Sequence, residues 1–341
     1  GGGFPASSFV YALTAIGDTV LAGTNSGVYR SVNGGINWSL SNTGFPSSTW
    51  ANSFVVKPGY IFAGTYSEGV FVSSDNGNNW TQKINGIPDL PFPTGLPHNY
   101  PAIRSLSESG ANVLAATVNG MYITSDNGNT WTESNTGILA TNIMALAANS
   151  TVVFSGDERT GVYATMDNGN SWSRTNNGLT YYDIIALAIK DSFTFASVDH
   201  QKVFRSNDNG NTWVSANTGL NGAALVFSVD SSRLLAITTG GQLTPRALFQ
   251  TIDKGITWTA IPTTSLSSAP CALASTPGSI YVGTDLGKLF YTNNNGASWQ
   301  DISGTLPTVK INTIFIKGNN LFVATDGQGI YTSTNTGTTW T

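Results

Sequence analysis

The chain has 341 residues, of which 10% are charged, with a net charge of −4 at pH 7 and a sequence pI near 5.0. That balance argues against nucleic acid or an anionic membrane as the main partner. A 40% hydrophobic content excludes a disordered chain, and no apolar run is long enough to cross a membrane as a helix.

The chain opens Gly1-Gly2-Gly3, without Met or signal peptide, and is expected to be a processed or excised part of a longer polypeptide. Residues 3–9 align with residues 44–50, a link between repeated units. The first repeated feature is Ser31-Val32-Asn33-Gly34-Gly35-Ile36-Asn37-Trp38. It follows the pattern S-x-D-x-G-x-x-W, with Asn for Asp, and seven more copies begin at Ser73, Thr124, Thr165, Ser206, Thr251, Thr292 and Ser333. The acidic or amide position holds Asn33, Asp75, Asp126, Asp167, Asp208, Asp253, Asn294 and Asn335. The closing position holds Trp38, Trp80, Trp131, Trp172, Trp213, Trp258, Trp299 and Trp340, eight of the nine tryptophans.

Successive closing tryptophans lie 42, 51, 41, 41, 45, 41 and 41 residues apart. A period near 41 fits a four-stranded propeller blade. In the fourth unit the apolar runs at 143–147, 152–155 and 161–164 read as three strands, and 171–174 as the fourth after the repeated turn. Helical periodicity is missing throughout. The expectation is an all-β chain: one eight-bladed β-propeller over 1–341, of four-stranded antiparallel blades. The blades span about 4–44, 45–86, 87–137, 138–178, 179–219, 220–263, 264–304 and 305–341. Each repeated turn should join a third strand to a fourth: Asp or Asn followed by Asn-Gly is turn chemistry, because the short side chain accepts backbone N–H bonds and Gly takes φ > 0 freely. Each Trp should fold under its turn, where burial is worth at most ~4–6 kcal/mol.

These residues resemble the Asp-box, or BNR repeat, of sialidases, sortilin-type receptors, xyloglucanases and photosystem II assembly factors. The resemblance implies a propeller in which the box is a structural fastener away from the working face. A calcium loop is the alternative reading, weakened by Asn33, Asn294 and Asn335. It also implies that blade-to-blade links and loops between second and third strands share the face opposite the boxes. Two insertions fall on that face: the proline-rich stretch 87–101 and the loop 238–246. They mark a working face, or else neutral drift in length.

Comparing the eight units separates scaffold from variation. The first-strand positions Leu13, Phe54, Leu106, Leu146, Leu187, Phe227, Leu273 and Ile314 stay apolar and read as core. Two residues earlier stand Tyr11, Asn52, Arg104, Met144, Ile185, Leu225, Cys271 and Asn312; four earlier stand Phe9, Trp50, Ala102, Asn142, Asp183, Ala223, Ala269 and Lys310. Strict alternation places these on one strand side, rising toward the mouth of the ring. The candidate ligand-binding residues are therefore Trp50, Tyr11, Asn52, Arg104, Lys310 and Asn312, with His98 and Tyr100 from the long loop. Aromatic planes beside amide and guanidinium donors suit a sugar or an extended peptide; a solvated funnel wall is the bland alternative.

No catalytic set is legible. The sialidase arginine triad and its Tyr/Glu pair have no counterpart, and Asp183 and Glu108 are the nearest candidates for a glycosidase pair. Two histidines, His98 and His200, and the lone Cys271 offer no metal site and no internal disulfide. The function expected is binding or adhesion without catalysis, cofactor or metal, by a secreted or cell-surface protein of bacterial style whose partner is a glycan or an extracellular protein. A glycoside hydrolase is the alternative.

Overall fold

Runs such as Tyr60-Ile61-Phe62-Ala63-Gly64-Thr65 mix aromatic, β-branched and small residues. Such runs form strands that tolerate burial on both faces. In the computed structural model, which describes residues 3–5, 7–46, 49–89, 100–139, 142–199, 201–239 and 245–341, this run is one of 31 strands. No helix occurs among the described residues. The strands pair antiparallel, in sequence order, into eight sheets. These are the blades of an eight-bladed β-propeller. Seven blades have four strands. The eighth has three, Ile311–Lys317, Asn320–Thr325 and Ile330–Ser333, with a bridge where Thr332 and Thr341 exchange backbone hydrogen bonds at 2.9 and 3.0 Å.

Packing divides the chain into two compact units. One holds Val10–Arg174 and the first four blades; the other holds Thr175–Thr341 with Pro5–Phe9 and the last four. Within each, the apolar core lies between consecutive blades. In the first unit, Phe62, Val70 and Val72 of the second blade pack with Ile103, Leu106, Tyr122 and Trp131 of the third. In the second unit, Tyr281 and Leu289 of the seventh blade meet Ile311, Ile314, Val323 and Trp340 of the eighth.

The repeated turn satisfies itself. In the fourth blade, Asp167 Oδ1 accepts the Thr165 hydroxyl at 2.7 Å and the Ser171 N–H at 2.9 Å, while Oδ2 accepts the Ser171 hydroxyl at 2.6 Å. Asn168 and Gly169 take φ of 58° and 92°, a pair of left-handed residues that Gly and Asn adopt at least cost. Both carboxylate oxygens are thus used by the turn's own donors, as a structural fastener requires. Asn serves equally well because its partner can reverse roles: Asn335 Nδ2 donates to the Thr339 hydroxyl at 2.9 Å, and Asn294 Nδ2 to the Ser298 hydroxyl at 2.8 Å.

Seven of the closing tryptophans are buried and Trp299 is half-buried. They join blades as well as filling space. Trp172 N donates to Thr136 O of the preceding link at 2.9 Å, and its indole N–H to the Ser134 hydroxyl at 2.9 Å. Gly137 follows Thr136 at φ 89°, and a Cβ there would lie 1.9 Å from Trp172 O. The same close approach recurs at Gly44, Gly86, Gly178 and Gly219 against the next closing Trp.

One feature of the first strands escapes strict alternation. Every blade has a β-bulge there, and the extra residue is Tyr11, Asn52, Arg104, Met144, Ile185, Leu225, Cys271 or Asn312. The bulge shifts the phase of the strand. Ile103 and Leu106, three apart, are both buried while Arg104 between them is exposed; Ile311 and Ile314 are likewise both buried, with Asn312 between them half-buried. The varying residues therefore do not share the side of the core residues, as simple alternation predicts. They are the residues that the register between first and second strands skips, re-aimed by the bulge.

Candidate functional site

In an antiparallel four-stranded blade the incoming link and the turn between second and third strands meet at one end. The repeated turn and the turn between first and second strands lie at the other. The bulges sit near the first end, so the residues that vary from blade to blade gather where links and second-to-third turns also vary.

In the first unit this end carries a row of three aromatic rings, one pair stacked and the next tilted. Tyr11, on the bulge of the first blade, lies 6.0 Å from Trp50 at 24° between planes, and Trp50 lies 5.5 Å from Tyr66 at 43°. All three are exposed, Trp50 at 44%. Trp50 precedes its strand, Ala51–Lys57, and its carbonyl accepts the Tyr66 N–H at 3.0 Å, which sets the two rings side by side. Tyr66 is not among the residues chosen from the sequence. It follows the second strand of its blade directly, and the repeat alignment places it beside Trp50, a signal available in the chain.

Beyond it, the links and turns of the third and fourth blades form an open cavity of about 520 Å³. Arg104, Val118, Leu139, Asn142, Asp157, Arg159 and Thr160 line it. Arg104 is reached from the bulge, Asn142 from the link, and Asp157 to Thr160 from the turn after Val153–Asp157. Among the described residues, neither arginine side chain has an acceptor within bonding distance.

The remaining candidates are dispersed. Asn52 is half-buried on the bulge of the second blade. Tyr100 packs against the core cluster of the second and third blades, and its N–H donates to Ser67 O at 3.0 Å. Burial, then the charges of Asp89 and Glu68, push its hydroxyl pKa up. Its ring thus contributes packing to the scaffold. His98, most of the proline-rich stretch and residues 240–244 of the other insertion lie outside the described residues. Lys310 and Asn312 belong to the second unit. There the Lys310 charge acts on Cys271, whose thiol donates to Ile311 O at 3.1 Å and is pushed up to about 11 mainly by burial. Glu108 and Asp183 occupy opposite ends of their strands: Glu108 sits beside the turn after Ile103–Ser109, and Asp183 precedes Ile184–Lys190. No group of three or more metal-ligating side chains occurs among the described residues.

No protein-family model matches the chain, and no curated protein matches it. Solved structures do. The computationally designed Ika8 protein aligns over 96% of both chains at TM-score 0.72 and 14% identity. YCF48 bound to D1 peptide aligns over 96% of this chain and 93% of that one, at TM-score 0.60 and 15% identity. An ancestral GH74 enzyme aligns at TM-score 0.56 and 17% identity, the chain spanning 96% of itself but 48% of the enzyme. At these identities the likeness is one of fold.

Proposed function

We propose that the chain is a non-catalytic binding propeller, working outside the cell, that holds a protein partner through an extended peptide. The peptide lies on the face formed by links and second-to-third turns, and the repeated turns, read as Asp-boxes, fasten the opposite face. The observation that carries this reading is the exposed stack of Tyr11, Trp50 and Tyr66. Rigid aromatic planes held at strand ends give a large apolar contact at small entropic cost. The likeness to a propeller seen with a bound peptide supports a peptide over a glycan.

The test pairs a random-peptide display selection with a glycan array, both on immobilised protein. Peptides are expected to be enriched, and Trp50→Ala to weaken them by ~30-fold or more, about 2 kcal/mol, with the melting temperature unchanged. Binding of glycans alone overturns the peptide reading. Loss of folding with binding spared makes Trp50 scaffold.

A further inference from the structure

The cavity of the third and fourth blades departs from the repeat at one position. Where Thr24, Thr65 and Thr117 close their second strands as buried hydroxyls, the fourth blade has Asp157, 1% exposed. Thr65 and Thr117 donate across the turn to the glycine at the start of the next run, to Gly69 O and Gly120 O, each at 2.8 Å. Asp157 instead turns Oδ1 inward to its own turn, accepting the Arg159 N–H, the Thr160 N–H and the Thr160 hydroxyl, each at 2.8 Å. Among the described residues no protein donor reaches its Oδ2. A buried acceptor stands without a partner in the same wall. Asn142 Nδ2 donates to Glu158 Oε2 at 2.5 Å, leaving Asn142 Oδ1 buried without a partner.

A buried acceptor left without a donor is costly, which makes Asn142 Oδ1 a place for an incoming donor. A cavity that holds this atom beside the carboxylate of Asp157, whose Oδ2 has no protein donor among the described residues, is suited to a donor that arrives from outside. At the exposed side of the same cavity stand the guanidinium groups of Arg104 and Arg159, whose forked N–H geometry matches a carboxylate. Leu139 and Val118 supply the apolar part of the lining. The volume of about 520 Å³ falls inside the ~300–1,000 Å³ of small-ligand pockets.

We propose that this cavity binds a zwitterion of the amino-acid or dipeptide class with an aliphatic side chain. Its ammonium group sits against Asp157 Oδ2 and Asn142 Oδ1, its carboxylate between Arg104 and Arg159, and its side chain against Leu139 and Val118. The site is separate from the aromatic stack, so it stands or falls independently of the peptide reading.

Calorimetric titration with L-leucine and L-leucyl-L-leucine tests it. Saturable binding is expected, at least tenfold weaker for N-acetyl-L-leucine, which lacks the ammonium charge, and for L-leucinamide, which lacks the carboxylate. Arg159→Gln, an exposed change, should weaken L-leucine at least tenfold. So should Asp157→Thr, which installs the residue of the sibling blades and keeps the turn folded, as an unchanged melting temperature would verify. No binding of either zwitterion up to roughly 10 mM overturns the proposal, as does N-acetyl-L-leucine binding as tightly as L-leucine, or Asp157→Thr binding like the wild type.

Discussion

At the scale of single residues, the aspartates of the repeated turn show how a surface group can matter to stability. Burial alone would raise the Asp167 carboxyl; hydrogen bonds from the Ser171 side chain and backbone, from Thr165 and from Asn170 outweigh it and bring the carboxyl to about 2. Asp167→Ala removes these bonds and should cost about 1 kcal/mol in urea unfolding, a figure held low by solvent at an exposed site. Asp167→Asn should cost under about 0.5 kcal/mol, because Asn294 and Asn335 make the same turn with the hydroxyl partner reversed. If the Asn variant proves as damaging as the Ala variant, the charge is essential and the hydrogen-bond account fails. Cys271 offers a second check. With its thiol near 11 and half-buried, it should resist iodoacetamide at pH 8 in the native protein and react in denaturant.

Between elements, the contact that matters most is the one joining a link glycine to the next closing tryptophan. Gly137 sits at φ 89° with Trp172 O in the space a Cβ would need. Gly137→Ala therefore meets both a disfavoured backbone conformation and a backbone clash that no side-chain movement relieves. A loss of roughly 2–4 kcal/mol is expected, read from the denaturation midpoint, and a loss below about 0.5 kcal/mol would show that the blades part easily there. The first-strand bulges act at the same scale with the opposite consequence. They free one residue per blade from the ladder, so Arg104 or Tyr11 can be exchanged without loss of pairing, which lets these positions vary while the blade stays constant.

For the whole molecule, the turns add up to a pH dependence. The carboxyls of Asp75, Asp126, Asp167, Asp208 and Asp253 all lie below the ordinary value, and those of Asp167 and Asp253 fall from 3.8 to about 2. A carboxyl with a lower folded than unfolded pKa stabilises the fold fully above its unfolded value and loses that contribution as it protonates. The melting temperature should therefore be level above about pH 5 and fall between about pH 4 and pH 2. A fivefold Asp→Asn variant of the turns should flatten that fall; an unchanged acid transition would assign it to other groups.

The repeat, its period and the turn chemistry were all legible in the chain, because each is a local consequence of residue type: Asp-Asn-Gly makes the same turn wherever it stands, and a 41-residue period leaves room for four short strands. Comparing the units also marked as variable the strand positions that the bulges occupy, Tyr11 and Arg104 among them. The bulge was illegible, since no residue type announces it and strict alternation put Arg104 on the side of Leu106. The partners of the site were decided only by tertiary structure. Tyr66 is set beside Trp50 by a backbone bond, Tyr100 packs against the core of two blades, and Arg104, Asn142 and Asp157, spread over more than fifty residues, line one cavity because two blades stand side by side. Hydrogen bonds between neighbours in sequence can be read from sequence. Proximity between blades is set by the packing of whole sheets, and only the folded chain contains it.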